Sequence, residues 1–508
     1  MKHQLIVAAL LLGTTTLAAQ QPTSPPPPPP APPATTSAVT AGLSLADAIA
    51  VARDRNPAFR QAQNNRGPAA WAVRGAYSSL LIPSLTASGG MSYTGPGSQT
   101  FLTQSFSQSV STVSSFYDLG LTWQLSGTTL SQPGLAKAQQ RATDADIAGA
   151  ENVLVTGIKQ QYLTVLQADA QADLARKTLQ RNEEFLKLAQ ARYGVGQATL
   201  IDVRQAQVAR GQAEVGLLRA QTLVNVEKLR LFEQMGVTAP LEVAAVRLTD
   251  TFTVQTPEWQ LQDLLTMAEQ QNPALKALRA REGAAAWSVR AATSSYGPAL
   301  SLSAGWSGFT QQFTDVDPLI FAGQQTGLTR YNQCLSNDSV RTNAGLGAIG
   351  CNSQLWDPIT DEKALRDANS VFPFHFTQQP FQARLTVTLP IFTNFAQQLR
   401  VSEARAQHGD LEESVRARGL AVQTEVSQAF LTLQTAYRTV GLQDTNRSAA
   451  REQLQLATER YRVGSGTFFE LLDAQVAGLR AESDAVNATY DYHKALALLE
   501  AAVGRSLR

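Results

Sequence analysis

The sequence is poor in several residue types that particular classes of protein require. Its 508 residues include only two cysteines and four histidines, and charged residues make up 16% of it. The 42 Lys and Arg nearly balance the 41 Asp and Glu, so there is no basic excess with which to bind nucleic acid. No nucleophile elbow, P-loop or His-Glu metal motif occurs, and His375, His408 and His493 are widely separated. We therefore expect no enzymatic activity, no cofactor and no bound metal.

Long apolar runs are also missing. The longest is Leu5–Leu12, far short of the ~20 residues that a membrane-spanning helix needs, so any contact with a bilayer must use β-structure. Lys2 and His3 precede this run and small residues follow it, which predicts a signal peptide over residues 1–19. A short buried N-terminal helix is the alternative. Residues 20–42 hold nine of the 23 prolines and predict an extended tether on an exported protein.

Proline is absent from two spans of more than a hundred residues, between Pro133 and Pro240 and after Pro390. Because proline costs a helix interior ~3 kcal/mol, these spans favour long helices. Apolar residues recur there in steps of three, four or seven, as in the stretch from Leu411 to Val440, which indicates helices packed along one face. An ordinary helical bundle would show the same stripe, so the stripe does not identify a function.

The two halves of the sequence repeat one another. LADAIAVARDRNPAF, from Leu45, matches LQDLLTMAEQQNPAL, from Leu261, and RYGVGQATLIDVRQAQVA, from Arg192, matches RYRVGSGTFFELLDAQVA, from Arg460. This predicts a two-fold internal repeat over residues 43–240 and 261–508, joined by a linker over 241–260. The pattern of each half predicts a helix of about 35 residues, two β-segments, a helix of about 60 residues, a glycine turn and another helix of about 35 residues, in that order.

The β-segments alternate cleanly between apolar and small polar residues. One face of the first carries Leu85, Met91 and Tyr93, while the other carries serine, threonine and glycine. Segments of about ten residues with this pattern are typical of transmembrane β-strands, although a four-stranded sheet packed on helices in a soluble protein would look similar. Open sheet edges cannot face lipid, and membrane barrels begin at about eight strands, so four strands per chain require several copies to share a barrel. A dimer would supply eight strands and a trimer twelve.

Helix length indicates the second part of the architecture. At ~1.5 Å per residue, helices over about Leu135–Val195 and Ala396–Val463 would each span on the order of 90–100 Å. The two shorter helices of each half together approach that length and fit end to end beside the long one. A barrel of such helices with a hollow axis would be a conduit.

These features together resemble the TolC-like outer-membrane efflux proteins. The resemblance is carried by motifs in a fixed order. The openings that end in Asn56-Pro57 and Asn272-Pro273 and the RYxVGxxT turns each occur twice, and Leu-Pro-Ile-Phe occurs once, at Leu389–Phe392. It implies a mainly α fold with membrane β, in which four strands per chain form a shared 12-stranded trimeric barrel continuous with a long periplasmic α-helical barrel. It further implies a homotrimer in outer-membrane lipid that extends into the periplasm.

The resemblance also implies a function and partners. Such proteins are the exit ducts of tripartite efflux pumps or type I secretion systems, and they work with a periplasmic adaptor protein and an inner-membrane pump. The alternative from a different class is a soluble periplasmic coiled-coil scaffold without a membrane barrel. The mature chain has only Met91, Met235 and Met267, which disfavours a copper or silver exporter and leaves the transported substrate open.

Two groups of residues take their expected roles from the family. The glycine turns match hairpin tips that dock the adaptor, which assigns that role to Arg192, Val195, Gly196, Thr199, Arg460, Val463, Gly464 and Thr467. Residues matching the narrowest periplasmic aperture, or gate, are Asp202, Tyr461, Glu470 and Asp473. Among these, Asp202 and Tyr461 resemble a pair whose hydrogen bonds hold the tip shut. Gly466 stands where some members carry a basic gate residue, which weakens that part of the resemblance.

One segment interrupts the repeat. A loop of about 70 residues is expected over 307–380, between two β-segments, and it contains Cys334 and Cys351. In an oxidising compartment these cysteines are expected to form a disulfide worth ~3 kcal/mol. The resemblance implies that this loop faces the cell exterior.

Overall fold

The structure, a computed structural model, describes residues 42–101, 104–108 and 110–507. The predicted signal peptide and all but the last residue of the predicted tether lie outside these residues. The described chain is mostly helical with a few strands, which confirms the mainly helical part of the predicted fold class. Within these ranges no helix combines the length and the apolar character that crossing a membrane requires.

The helices include two that are unusually long. Their bounds in chain order are α1 (Leu45–Arg55), α2 (Pro57–Asn64), α3 (Arg66–Leu81), α4 (Gly127–Gly194), α5 (Leu200–Met235), α6 (Leu261–Gln271), α7 (Pro273–Ser294), α8 (Asp317–Asn343), α9 (Thr360–Ala368), α10 (Ala396–Arg462) and α11 (Phe468–Val503). The strands are β1 (Ser84–Thr94), β2 (Gly97–Phe101), β3 (Gln104–Gln108), β4 (Thr112–Leu125), β5 (Ala299–Phe313), β6 (Thr377–Gln378) and β7 (Gln382–Thr388).

The described chain forms two compact units, and each draws on both halves of the sequence. The first takes in residues 42–63, 148–272 and 421–507, and the second residues 64–147 and 273–420. The long helices α4 and α10 each contribute one part to either unit.

The first unit contains several apolar cores, and two of them involve the short helices α1 and α6. In one, Ala48 and Ala52 of α1 pack against Tyr162 of α4 and Leu231 of α5, all of them buried. In the other, α6, α10 and α11 supply Leu264, Val426 and Leu499 among other buried residues. Alanines at these contacts let helix backbones approach closely, which is the packing that the predicted helix stripe requires.

The Asn-Pro dipeptides join short helices to the ends of the long hairpins. Asn56 ends α1, and its Nδ2 donates a hydrogen bond to the carbonyl of Gln234, 2.7 Å away, near the end of α5. Asn272 ends α6, and its Nδ2 donates to the carbonyl of Ala502 near the end of α11, at 2.8 Å. The following prolines begin new helices, where a missing N–H costs nothing. Each dipeptide therefore both ends one helix and ties it to another.

The second unit contains the main antiparallel sheet. Its strands lie in the order β1, β4, β5, β7, with Ser84 opposite Thr122, Leu125 opposite Leu300 and Ala299 opposite Thr388. The short β6 also pairs with β5, and β2 pairs with β3 in a separate hairpin. The four β-segments predicted from alternation overlap β1, β4, β5 and β7, and the last of them extends one residue beyond β7 at each end.

The junctions between sheet and helix differ between the two long helices. Gly127 begins α4 so close to the carbonyl of Ser294 that a Cβ at this position would lie 2.4 Å from that oxygen. Before α10, Asn394 and Phe395 both take positive φ angles. The chain therefore needs glycine at one junction, and it uses two non-glycine residues in the left-handed region at the other.

The segment over 307–380 is largely helical rather than a loop. Strand β5 continues into it as far as Phe313, and it then forms α8 and α9. Pro318 lies in the first turn of α8, where proline favours helix initiation. Cys334 and Cys351 are joined by a disulfide between α8 and the short turn that follows it.

Candidate functional site

The turn between α4 and α5 is closed by a glycine and a capping box. Gly196 has φ +72°, a conformation that glycine adopts without strain. Thr199 caps α5: its side chain accepts from the backbone N of Asp202 at 3.3 Å, and Asp202 Oδ2 accepts from the backbone N of Thr199 at 2.8 Å. These reciprocal bonds satisfy two backbone donors at the helix start and fix where α5 begins.

The turn between α10 and α11 has the same form with one difference. Gly464 has φ +83°, and the Thr467 side chain accepts from the backbone N of Glu470 at 3.2 Å. The Glu470 carboxylate does not accept a hydrogen bond from the backbone N of Thr467. Its Oε2 instead lies 3.7 Å from Nη2 of Arg460 on the preceding helix. Space is tight at Gly466, where a Cβ would lie 3.1 Å from Cβ of Arg460 and 3.2 Å from that same Oε2, so a larger residue would need small shifts of these neighbours.

Arg192 joins the two turns. Its guanidinium lies 4.5 Å from the centroid of the Tyr461 ring, and its Nη1 donates to the carbonyl of Tyr461. Its Nη2 also donates to the carbonyl of Gln197 at 3.1 Å. Arg192, from the first hairpin, thus makes a cation–π contact and a hydrogen bond to the second hairpin. It also stabilises its own turn through the bond to Gln197.

Tyr461 is buried between the hairpins, with 3% of its surface exposed. Its ring meets Phe468 edge to face at 5.6 Å and belongs to an apolar cluster with Ala189, Val203 and Leu471. Burial, and then the negative charge of Asp202, raise the pKa of Tyr461, while the charge of Arg192 opposes them. The ring therefore acts as the packing centre of the hairpin pair.

The hydrogen bond expected between Asp202 and Tyr461 is not formed. The Tyr461 hydroxyl has no hydrogen-bond partner among the described residues, and Asp202 is engaged in the capping box of α5. The physical reason is local: a carboxylate three residues after a threonine N-cap is held against the helix start. The sequence analysis placed Asp202 and Tyr461 together at the hairpin turns. In the structure, Asp202 bonds to the backbone N of Thr199 and not to Tyr461.

Glu470 and Asp473 lie together on the exposed face of α11 next to the turn. The opposite face of the same turn carries Leu471 and Ala474, each 1% exposed, which fixes the orientation of the helix. Three residues apart on a helix, the two carboxylates are neighbours and concentrate negative charge at this end.

Large apolar side chains are exposed beside both turns. Val195 and Val463 are 70% and 76% exposed at the turns themselves, and Ile201 and Phe469 follow on α5 and α11 with similar exposure. Each hairpin therefore presents exposed apolar side chains next to its turn.

A partly buried charge network lies further along the same helices, and sequence analysis did not identify it. Glu482 of α11 receives hydrogen bonds from Arg181 Nη2 at 2.7 Å and from Arg451 Nε at 3.1 Å. Burial alone would raise the pKa of Glu482, but the hydrogen bonds and charges of the two arginines outweigh it and hold that pKa below its usual value. These three residues come from three separate helices, so no sequence spacing connects them.

Comparisons with known proteins agree with this architecture. A protein-family model described as "Outer membrane efflux protein" matches residues 48–237 and 363–505, more than half of the chain. The outer-membrane channel OprN is similar with a TM-score of 0.66 and 17% identity, over 91% of this chain and 89% of its own. The outer membrane protein VceC from Vibrio cholerae has a TM-score of 0.64 and 18% identity, over 91% and 97%. The open-state MtrE outer membrane channel of Neisseria gonorrhoeae has a TM-score of 0.64 and 19% identity, over 91% and 89%. At these identities the solved structures show a shared fold.

Proposed function

The chain belongs to the outer membrane efflux protein family, and we propose that it is the outer-membrane exit duct of a tripartite efflux pump or type I secretion system. In this role it passes substrates across the periplasm and the outer membrane, with a periplasmic adaptor protein and an inner-membrane pump as partners. Channels of this family are not enzymes, which confirms the expectation that the chain has no enzymatic activity.

The observation that carries this proposal is the exposed apolar face of the main sheet. Met91 and Tyr93 of β1 and Leu385 and Val387 of β7 are each at least 62% exposed in the single chain. Polar residues alternate with them: serine and threonine in β1, and arginine and threonine in β7. Burying such a face in lipid, with the polar face towards a wet lumen, satisfies both sets of side chains.

The edges of the same sheet support assembly from several copies. Among the described residues, β1 pairs only with β4 and β7 pairs only with β5, so each presents an open edge. Unpaired backbone groups cost several kcal/mol each in lipid, which a closed barrel avoids. Three copies, each with four long strands, would close the twelve-stranded barrel of the proposed homotrimer.

The hairpin turns support the proposed periplasmic end. The exposed Val195 and Val463 with the neighbouring turn residues form the proposed adaptor-docking tips, and the proposed aperture carries Glu470 and Asp473. In a trimer these carboxylates would form a ring of six around the axis, which attracts cations. The Arg192–Tyr461 contact would hold the two hairpins of each copy together when the aperture is closed.

The remaining parts of the chain take proposed roles from the same arrangement. Residues 1–19 would direct export, residues 20–42 would form a tether, and the repeats over 43–240 and 261–508 would each supply two strands and one hairpin. The helical, disulfide-linked segment over 307–380 would lie at the extracellular mouth of the duct.

Membrane fractionation tests this proposal. The expressed chain should sediment with the outer membrane, require detergent for extraction, and run on an unheated gel as a trimer that boiling converts to monomer. Recovery as a soluble monomer without detergent would instead support the periplasmic coiled-coil scaffold and overturn the duct.

A matched pair of variants tests the orientation of the sheet. Leu385→Arg places a charge on the apolar face of β7, which would cost ~2–4 kcal/mol if that face contacts lipid. Thr386→Arg places the same charge on the opposite face of the same strand and should leave trimer yield near wild type. Equal loss in both variants would contradict the proposed lipid-facing side.

A further inference from the structure

His408 lies between two carboxylates in the second compact unit. Its Nε2 is 3.4 Å from Oε1 of Glu282 on α7, and its Nδ1 is 3.6 Å from Oε1 of Glu412, one turn later on α10. One ligand atom from each of the three residues lies within 4.8 Å of the other two. From this geometry we propose that Glu282, His408 and Glu412 form a binding site for a divalent transition-metal ion, and that Zn²⁺ is the ion that fits it best.

The spacing of the donor atoms suits a single small ion. Zn²⁺ binds imidazole nitrogen at ~2.0–2.1 Å and carboxylate oxygen at ~2.0–2.2 Å, so neighbouring ligand atoms around one ion are roughly 3–4 Å apart. Glu282 and His408 already stand at such a separation. Glu412 has 58% of its side chain exposed and is free to rotate towards the ion.

The donor set selects the class of metal. One neutral imidazole and two carboxylates offer two negative charges, which match the charge of a divalent ion. Imidazole is a favoured ligand of zinc, copper and nickel, whereas magnesium and calcium prefer sites made only of oxygen. Three protein ligands would leave one tetrahedral position for water.

The site would also have a mechanical effect. Glu282 and His408 belong to different helices, and 126 residues separate them in the sequence. An ion bound to both would cross-link α7 to the first part of α10, since metal binding adds to the stability of the folded state that carries the site. Zinc binding at these side chains does not depend on the proposed duct function.

Titration calorimetry on the full chain in detergent, after chelator treatment, tests the proposal with Zn²⁺ as the probe. We expect one zinc site per chain, and we expect excess Mg²⁺ not to displace the zinc. His408→Gln and Glu282→Gln should weaken binding by at least about 100-fold, because loss of an outer-shell partner alone costs ~10–100-fold. Glu412→Gln should have a smaller effect, since water can replace an exposed ligand.

Three further variants keep the result interpretable. His408→Cys restores a zinc ligand and should recover binding that His408→Gln loses, which separates ligation from misfolding. His375→Gln, at an exposed histidine elsewhere, and Glu413→Gln, at a carboxylate on the same helix that pairs with Arg416, should bind zinc like wild type. No zinc binding, binding that survives His408→Gln, or displacement by Mg²⁺ would show that the cluster is only an ion-pair network and overturn the proposal.

Discussion

The guanidinium of Arg192 lies over the ring of Tyr461, 4.5 Å from its centroid, and thereby joins the turn after α4 to the turn after α10. The hydroxyl of the same tyrosine has no partner among the described residues. The contact between the hairpins therefore depends on the aromatic face and its packing, and not on the phenolic oxygen.

Two substitutions at Tyr461 separate these contributions. Tyr461→Phe keeps the ring and should change the free energy of unfolding by less than about 0.5 kcal/mol, because no hydrogen bond within the described chain is lost. Tyr461→Ala removes a buried ring and should cost about 3 kcal/mol. Thermal unfolding in detergent measures both. A large loss in Tyr461→Phe would show that the hydroxyl has a partner, as the sequence resemblance implied for Asp202.

The carboxylates of Glu470 and Asp473 should control cation block of the proposed duct. Replacing both with alanine removes six negative charges from a trimeric aperture and should weaken block by divalent or polyvalent cations at least about tenfold in planar bilayers. Asp484→Ala, on the same helix but further from the turn, is the matched control and should leave block unchanged. Equal block in all three proteins would remove Glu470 and Asp473 from the aperture.

The Glu482 network should make stability depend on pH in a defined direction. Its pKa is lower in the folded chain than its ordinary value of 4.5, so its stabilisation is present above that value and is lost as the pH falls through the folded pKa. Glu482→Gln should therefore lower stability by about 2 kcal/mol at pH 7. This difference should shrink below pH 4. The unfolding temperatures of wild type and Glu482→Gln should be measured across about pH 3–8, the range around the titration of a carboxyl group. A difference that stays constant with pH would contradict a role for the Glu482 charge.

The Asn-Pro joints should contribute measurably to the first unit. Asn272 is 3% exposed, and Asn272→Ala removes its 2.8 Å hydrogen bond to the carbonyl of Ala502, which should cost about 1–2 kcal/mol. Asn446→Ala, on the exposed surface of α10, should cost much less. Chemical unfolding of both variants gives the comparison, and indistinguishable midpoints would mean that the joint is held by its apolar contacts alone.

The disulfide should protect the segment over 307–380. Replacing Cys334 and Cys351 with serine releases a cross-link across 17 residues, worth about 3 kcal/mol in chain entropy. We expect faster cleavage of this segment by added protease, with the rest of the chain unaffected. Identical cleavage patterns with and without the disulfide would show that α8 is held by its other contacts.

Much of the fold followed from local sequence signals. Proline-free spans and glycine turns predicted helices that match α5, α10 and α11 closely, because caps such as Thr199 and Thr467 fix where a helix starts. The start of α4 was placed too late because Pro133 lies inside the helix, near its first turns. Alternation located the four long strands, since a period of two is a direct signature of a half-exposed sheet.

Contacts between distant segments were not predictable. The helical content of the 307–380 segment was not predicted because α8 carries no strong amphipathic stripe and α9 is only nine residues long. Glu282 and His408, or Arg181 and Glu482, meet only once the chain has folded, and no local pattern encodes their meeting. The turn residue Arg192 was recognised from its motif, but its position over Tyr461 required the structure.

Single-channel recording of the purified trimer in planar bilayers tests the proposed duct most directly. We predict that the wild-type chain forms pores of low conductance, and that Arg192→Ala, which breaks the contact with Tyr461, raises the conductance severalfold. Arg176→Ala, at an exposed arginine paired with Asp173 on the same helix, should behave like wild type. Failure of the wild-type chain to form pores, or a conductance that Arg192→Ala leaves unchanged, would contradict a duct gated at the hairpin tips.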